Sequence, residues 1–155
     1  MIDVSTRISW RRAARCETST ECSDREEFGP YPPPVVRQVQ QKLAIIAAMP
    51  ANWDQQGAPR VSRIALQSAL DFAKVVPWHL LRRPHIAPTP DGNVQMEWHH
   101  GDVSLEVEFG ADGKTYYLKW DPANGIEDAG GIEEYQVGGQ QLLRWFAGKT
   151  RNVDC

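Results

Sequence analysis

The sequence is poor in cysteine and has no long apolar run. Its three cysteines are Cys16, Cys22 and Cys155, an odd number that fits neither a disulfide framework nor a paired metal motif. No apolar stretch approaches the length of a membrane span, and the arginines near the N-terminus are not followed by the apolar region of a signal peptide. We therefore expect reduced thiols, no membrane association and a cytoplasmic location.

The sequence also lacks the common motifs of nucleotide and acyl chemistry. Neither a GxGxxG nor a GxxxxGK[ST] phosphate loop occurs, and there is no GxSxG nucleophile elbow. We predict no cofactor.

Charge is distributed unevenly along the chain. The net charge is −3, but residues 101–137 hold nine acidic and two basic side chains, a local balance of −7. Such a surface repels phosphates, so it disfavours direct binding of nucleic acid and favours a basic protein partner. A solvated surface without a partner is the alternative interpretation.

Residues 1–34 differ in composition from the rest and are predicted to form a flexible tail, or one that a partner orders. The tail ends in "GPYPPP", and Tyr31 within this proline-rich segment is a candidate for docking into a partner groove. A stiff spacer is the alternative. Residues 35–150 are predicted to form a single domain, followed by a short tail at 151–155.

Three segments have the three- and four-residue apolar spacing of helices, at 35–49, 62–76 and 139–149. Pro34 is tolerated in the first turn of the first helix, and Ser62 is a candidate N-cap for the second. Gly148 suits the end of the third.

From residue 85 onwards, apolar and polar residues alternate with a period of two. Three strands are predicted within "NVQMEWHHG", "DVSLEVEFG" and "KTYYLKWD", and "IEEYQV" at 132–137 is a candidate fourth. Short glycine-containing joints favour an antiparallel meander with one buried face. Residues 121–131 are predicted to be a loop.

These elements predict an α+β fold, in which two N-terminal helices and one C-terminal helix pack on one face of an antiparallel meander of three to four strands. The predicted core consists of Val39, Leu43, Ile46, Trp53, Ala65, Ala69, Phe72, Val94, Met96, Trp98, Leu105, Val107, Leu118, Trp120, Leu142 and Phe146.

The stretch "PANWDQQGAP" at 50–59 places a tryptophan in a turn. Trp53 is predicted to fill the corner between the first two helices, while Asn52 and Asp54 bond to backbone N–H groups and Gly57 takes a positive φ. The alternative is that Asn52 and Asp54 face a ligand.

This stretch and the segment "PHIAPTPDGNVQMEWHHGDVSLEVEF" resemble a widespread family of small bacterial proteins with an NWDxxGA…S…PTPDG…EW pattern. The resemblance covers about residues 50–110 and leaves out the N-terminal tail. Matching positions are Asn52, Trp53, Asp54, Gly57, Ala58, Ser62, Pro88, Pro90, Gly92, Glu97 and Trp98. No activity is established for the family, so the resemblance supports the order of elements and implies no reaction.

The remaining candidates for chemistry are weak. Glu97, Glu106 and Glu108 are predicted to share an exposed sheet face, which does not desolvate a carboxyl as a general acid requires. His99 and His100 are adjacent on a strand and so point to opposite faces, which disfavours a metal site. "HLLRRPH" at 79–85 is either an anion site or a solvated linker.

The sequence therefore favours a non-catalytic interaction or adaptor module, of bacterial or mobile-element origin, over an enzyme. An alternative is an inhibitor or antitoxin-like protein whose acidic sheet occupies the basic, nucleic-acid-binding surface of its partner. A small enzyme or metal-binding protein is the remaining alternative. The candidate binding residues are Tyr31, Asn52, Asp54, Glu97, Glu106, Glu108 and Asp112; no catalytic residue or metal ligand is predicted.

Overall fold

The computed structural model describes residues 33–151. The elements, in chain order, are α1 (Pro34–Ala47), α2 (Arg63–Ala73), β1 (His85–Pro88), β2 (Val94–His100), β3 (Val103–Phe109), β4 (Thr115–Asp121), β5 (Ile126–Gly131) and α3 (Gln140–Arg151). The five strands are antiparallel and lie side by side in sequence order. The α+β class is confirmed, but three to four strands was the wrong number. Within the described range, no helix is both long and apolar enough to cross a membrane.

The strands that sequence analysis missed are β1 and β5, the two edges of the sheet. Residues 126–131, predicted as loop, form β5, whose Gly130 is paired with Tyr117 of β4. A Cβ at Gly130 would lie 3.0 Å from the Tyr117 ring, so the ring occupies the space that a side chain would need. The candidate strand at 132–137 was wrong, because Tyr135–Gly139 forms a π-helical turn that leads into α3.

The helices form where the apolar spacing predicts them. Helix α1 begins with Pro34 in its first turn and buries Val36, Val39, Leu43 and Ile46. At the start of α2, Ser62 Oγ accepts a hydrogen bond from the backbone N–H of Ile64 at 3.1 Å, which confirms the predicted N-cap. All three helices contribute to one core with the same face of the sheet, here called the inner face.

Phe72 of α2 is the centre of that core and is 0% exposed. Its ring centroid lies 5.4 Å from that of Phe109 in β3, 5.3 Å from Tyr135 before α3 and 6.5 Å from Trp98 in β2. Gly139 allows this packing, because a Cβ there would lie 2.9 Å from the Phe72 ring. One aromatic side chain therefore joins helix α2, the sheet and the entry to α3.

Strand β4 has the opposite orientation to the predicted one. Its pairing places Tyr117 beside Val107 and Lys119 beside Leu105, on the inner face. The predicted core residues Leu118 and Trp120 consequently point outward; Leu118 is half-buried and Trp120 is exposed. The prediction for these two residues was wrong because the set Tyr116, Leu118 and Trp120 is more apolar than the alternative set, which contains Lys119. Apolar alternation alone therefore assigned the wrong set to the core.

The inward position of Lys119 is possible because its charge has partners. Its Nζ lies 2.6 Å from Asp128 of β5 and 5.5 Å from the ring centroid of Trp145 in α3. The ion pair with Lys119 is the main reason that the pKa of Asp128 lies below its ordinary value. The aliphatic stem of Lys119 can thus cover apolar surface while its ammonium group stays paired.

Trp53 is half-buried and lies outside the main core cluster, so its predicted place in the core was wrong. The indole Nε1 is itself buried and has no hydrogen-bond partner among the described residues. Trp53 is also not among the partly buried side chains that pack against this cluster.

Replacing Phe72 by alanine is expected to destabilise the fold by about 3–5 kcal/mol, through lost transfer energy and the cavity left behind. The matched control is Ile64→Ala on the same helix, where the side chain is 55% exposed and the expected effect is within about 0.5 kcal/mol. Urea unfolding of both variants measures the difference. Equal losses of stability in the two variants would contradict the central role of Phe72.

The free energy of unfolding is expected to fall in acid because of Asp121, a residue that is only 1% exposed. Lys149 Nζ lies 2.7 Å from its Oδ2 and, together with Asn124, holds the pKa of Asp121 below the ordinary 3.8. Since the folded state binds the proton more weakly, this contribution is complete above the ordinary aspartate pKa and is lost as the pH falls through the lower, folded value.

The measurement is the urea midpoint as a function of pH for the wild type and Asp121→Asn, with the exposed Asp102→Asn as control. Asp121→Asn should be less stable near neutral pH and lose less on acidification, while Asp102→Asn should follow the wild type. Parallel curves for wild type and Asp121→Asn would show that this carboxylate does not contribute.

Candidate functional site

The face of the sheet opposite the helices, here called the outer face, carries three of the seven predicted binding residues. Strand pairing defines its members. They are His85 and Ala87 of β1; Gln95, Glu97 and His99 of β2; Ser104, Glu106 and Glu108 of β3; Tyr116, Leu118 and Trp120 of β4; and Glu127, Ala129 and Gly131 of β5. The three predicted glutamates thus lie on one face.

Glu97 and Glu106 are directly opposite each other on neighbouring strands. Like charges in this arrangement are unfavourable unless other groups compensate. Gln95 Nε2 donates to Glu106 Oε2 at 2.9 Å, and Asn93 Nδ2 donates to Glu108 Oε1 at 2.6 Å. Side-chain amides therefore hold these half-buried carboxylates in fixed positions.

The fourth predicted acidic residue, Asp112, lies in the turn between β3 and β4. Its carboxylate accepts hydrogen bonds from the backbone N–H of Lys114 at 3.0 Å and from the Tyr116 hydroxyl at 3.2 Å. The bond from Lys114 is the main cause that lowers the pKa of Asp112. This residue shapes the turn and anchors one outer-face aromatic.

Sequence analysis missed the apolar part of the outer face. Tyr116 is 44% exposed and Trp120 is 41% exposed, and Leu118 lies between them on β4. Their partners across the strand pair are Glu108, Ser104 and Glu106, respectively. Apolar and aromatic side chains thus lie directly beside carboxylates.

The outer face has a single sign of permanent charge. None of its strand positions holds lysine or arginine. Two histidines flank Glu97: His99 Nε2 lies 3.2 Å and His85 Nδ1 lies 3.8 Å from Glu97 Oε2. Within residues 33–151, no three or more His, Cys, Asp or Glu side chains are grouped so that they could hold a metal ion.

The loop between α1 and α2 uses its polar side chains internally. Asn52 Oδ1 accepts from the backbone N–H of Gly57 at 2.7 Å, and Asp54 Oδ1 accepts from Gln56 at 2.9 Å and Ala58 at 3.0 Å. These backbone bonds lower the pKa of Asp54, that from Gln56 most strongly. Binding of a ligand by Asn52 and Asp54 stays a prediction. Tyr31, the remaining candidate, lies outside the described residues.

Gly57→Ala is expected to cost about 1–2 kcal/mol, because φ is +94° there and L-residues are strained in that conformation. Gly148→Ala in α3 is the matched control; it should stabilise by about 0.5–1 kcal/mol. An added Cβ meets nothing within 4 Å at either position, so only the backbone differs. Thermal unfolding measures both, and effects of the same sign would contradict the assignment of strain to Gly57.

Comparison with protein-family models, curated proteins and solved structures found no match to this chain. The family resemblance of residues 50–110 therefore stays a prediction.

Proposed function

We propose that the protein is a non-catalytic interaction module whose outer face docks a partner protein with a basic surface. One observation carries this proposal. Tyr116, Leu118 and Trp120 form the more apolar side of strand β4, yet this side faces away from the core. Exposed aromatic side chains beside charged ones are characteristic of protein-binding surfaces.

The chemistry of the outer face suits arginine and lysine side chains on the partner. Glu106 and Glu108 offer carboxylates for charge-assisted hydrogen bonds, and Trp120 and Tyr116 offer aromatic rings for stacking and cation–π contact. Since neighbouring amides already orient the carboxylates, less conformational entropy is lost on binding than for freely rotating side chains.

A more specific form of this function is inhibition of a nucleic-acid-binding partner. The absence of lysine and arginine from the outer-face strand positions supports it, because such a face repels phosphates and attracts the surfaces that bind them. The protein would then occupy the partner's basic surface, as an antitoxin or inhibitor does, without binding nucleic acid through this face.

The test is a quantitative, cross-linked pull-down from the native cell with Glu106→Lys/Glu108→Lys. The matched control is Glu133→Lys/Glu134→Lys, which changes the net charge equally at exposed positions between β5 and α3. The outer-face pair should deplete a partner by about tenfold or more, and the control pair should leave it in place. Raising the salt should weaken the same association.

A second variant separates the aromatic contribution from charge. Trp120→Ala should deplete the same partner at unchanged salt, while its unfolding free energy stays within about 1 kcal/mol of the wild type because the ring is exposed.

Deletion of residues 1–32 tests whether the N-terminal tail, instead of the outer face, binds the partner. Loss of the partner only on that deletion, or equal loss with both charge-reversal pairs, would contradict docking on the outer face.

A further inference from the structure

A cleft lies where β1 begins and β2 ends. Pairing between these strands stops at His85 and Glu97, whereas β2 continues beside β3 as far as His100. Among the described residues, no strand therefore pairs with Trp98, His99 or His100 on the β1 side. The space there is a cavity of about 660 Å³, within the size range of small-molecule sites.

The charged and titratable side chains of this cleft come from three neighbouring elements. The segment before β1 supplies His79, Arg82 and Arg83; β1 supplies His85; β2 supplies Glu97, His99 and His100. Helix α3 closes the cleft with Phe146 and Thr150, which are not titratable, and Lys42 of α1 lies beside Arg83 in an adjoining depression. All four histidines of the sequence thus line one cavity.

The backbone of the arginine segment is anchored by a hydrogen bond from a buried tryptophan. Trp98, which is 3% exposed, donates from Nε1 to the backbone carbonyl of Arg82 at 3.0 Å. Arg83 Nη1 donates to Gln38 Oε1 of α1 at 3.3 Å. Within residues 33–151, neither guanidinium forms an ion pair with a carboxylate. The backbone of Arg82 is thus anchored, and the exposed guanidinium groups of Arg82 and Arg83 retain donors for another anion.

The local charge is opposite in sign to that of the whole chain. The two arginines against Glu97 leave one net positive charge when the imidazoles are neutral, and protonation of the four histidines adds four more. The Glu97 carboxylate also already has a partner, since His99 Nε2 lies 3.2 Å from its Oε2. A cleft with low-dielectric walls concentrates such a field and attracts anions.

We propose that this cleft binds a small phosphorylated molecule, with its phosphate group held by Arg82 and Arg83 and by imidazole N–H donors of the surrounding histidines. The planar guanidinium group presents paired N–H donors that match two oxygens of a tetrahedral anion. The cavity is larger than a phosphate ion, and Leu80, Leu81 and Phe146 line the remainder, so the ligand carries an organic group. The cleft shares His85, Glu97 and His99 with the edge of the outer face, but binding of the phosphate needs no partner protein.

The experiment is titration of the full chain with inorganic phosphate and with sulfate, followed by calorimetry and by NMR of the histidine side chains. Sulfate stays a dianion across the relevant range, so any pH dependence comes from the protein. Sulfate binding should strengthen as the pH is lowered, because each proton that an imidazole takes up adds a donor and a positive charge.

Arg82→Gln/Arg83→Gln should weaken binding of both anions by about tenfold or more, whereas Arg37→Gln/Arg63→Gln removes the same charge from exposed helix positions and should leave it unchanged. Arg82→Lys/Arg83→Lys should restore part of the affinity, since charge returns without the planar fork. Thermal unfolding confirms that each variant is folded.

The proposal is overturned if neither anion shifts the histidine signals, or if both double glutamine variants weaken binding equally. It is also overturned if a single-stranded oligonucleotide displaces the anions and binds with an affinity that rises with its length, because the cleft would then be part of a nucleic-acid surface. Failure of the outer-face experiment leaves these outcomes unaffected, since they need no partner protein.

Discussion

The fold depends on how Phe72 packs against three other aromatic rings. Phe72 connects α2 to β2 and β3 through Trp98 and Phe109, and to the approach to α3 through Tyr135. Interiors are close-packed, so a ring in this position fixes the distance of every element that touches it. The absence of a side chain at Gly139 is part of the same constraint, since any larger residue would displace the ring.

A consequence of this packing is that the helices cover one face of the sheet. Val94, Met96, Leu105, Val107 and Phe109 are fully buried on the inner face, whereas no helix among residues 33–151 packs on the outer face. The protein places carboxylates there and holds them with amides. It also places Tyr116 and Trp120 there. Packing of the core does not account for the exposure of these two aromatic side chains.

The local spacing of apolar and polar residues was sufficient to predict the elements whose structure does not depend on residues distant in sequence. The stripe of α1, the Ser62 cap and the alternation of β2 and β3 follow from spacing alone, and the structure has them. Strand β4 was misjudged because Lys119 is satisfied by Asp128 and Trp145, which lie at a distance in sequence. Strand β5 was missed because its two glycines are typical of a loop, and the need for Gly130 becomes visible only when the Tyr117 ring is in place.

The same limits apply to the candidate sites. Glu97, Glu106 and Glu108 share a face because strand periodicity requires it, and that much was predictable. Their aromatic neighbours were not, since they follow from the orientation of β4. The cleft was visible only as a cluster of arginine and histidine in "HLLRRPH", and it takes the early end of β1 to bring His99 and His100 to the same place.

The order of the strands has a consequence for how the chain reaches this structure. Within residues 33–151, every strand pairs only with strands that adjoin it in sequence, so this part of the chain forms consecutive hairpins and its sheet closes no long loop. Chains dominated by such local pairing fold faster than those that must bring distant segments together. The segment 94–121, which carries most of the outer face, can therefore form its pairing without a distant segment having to reach it.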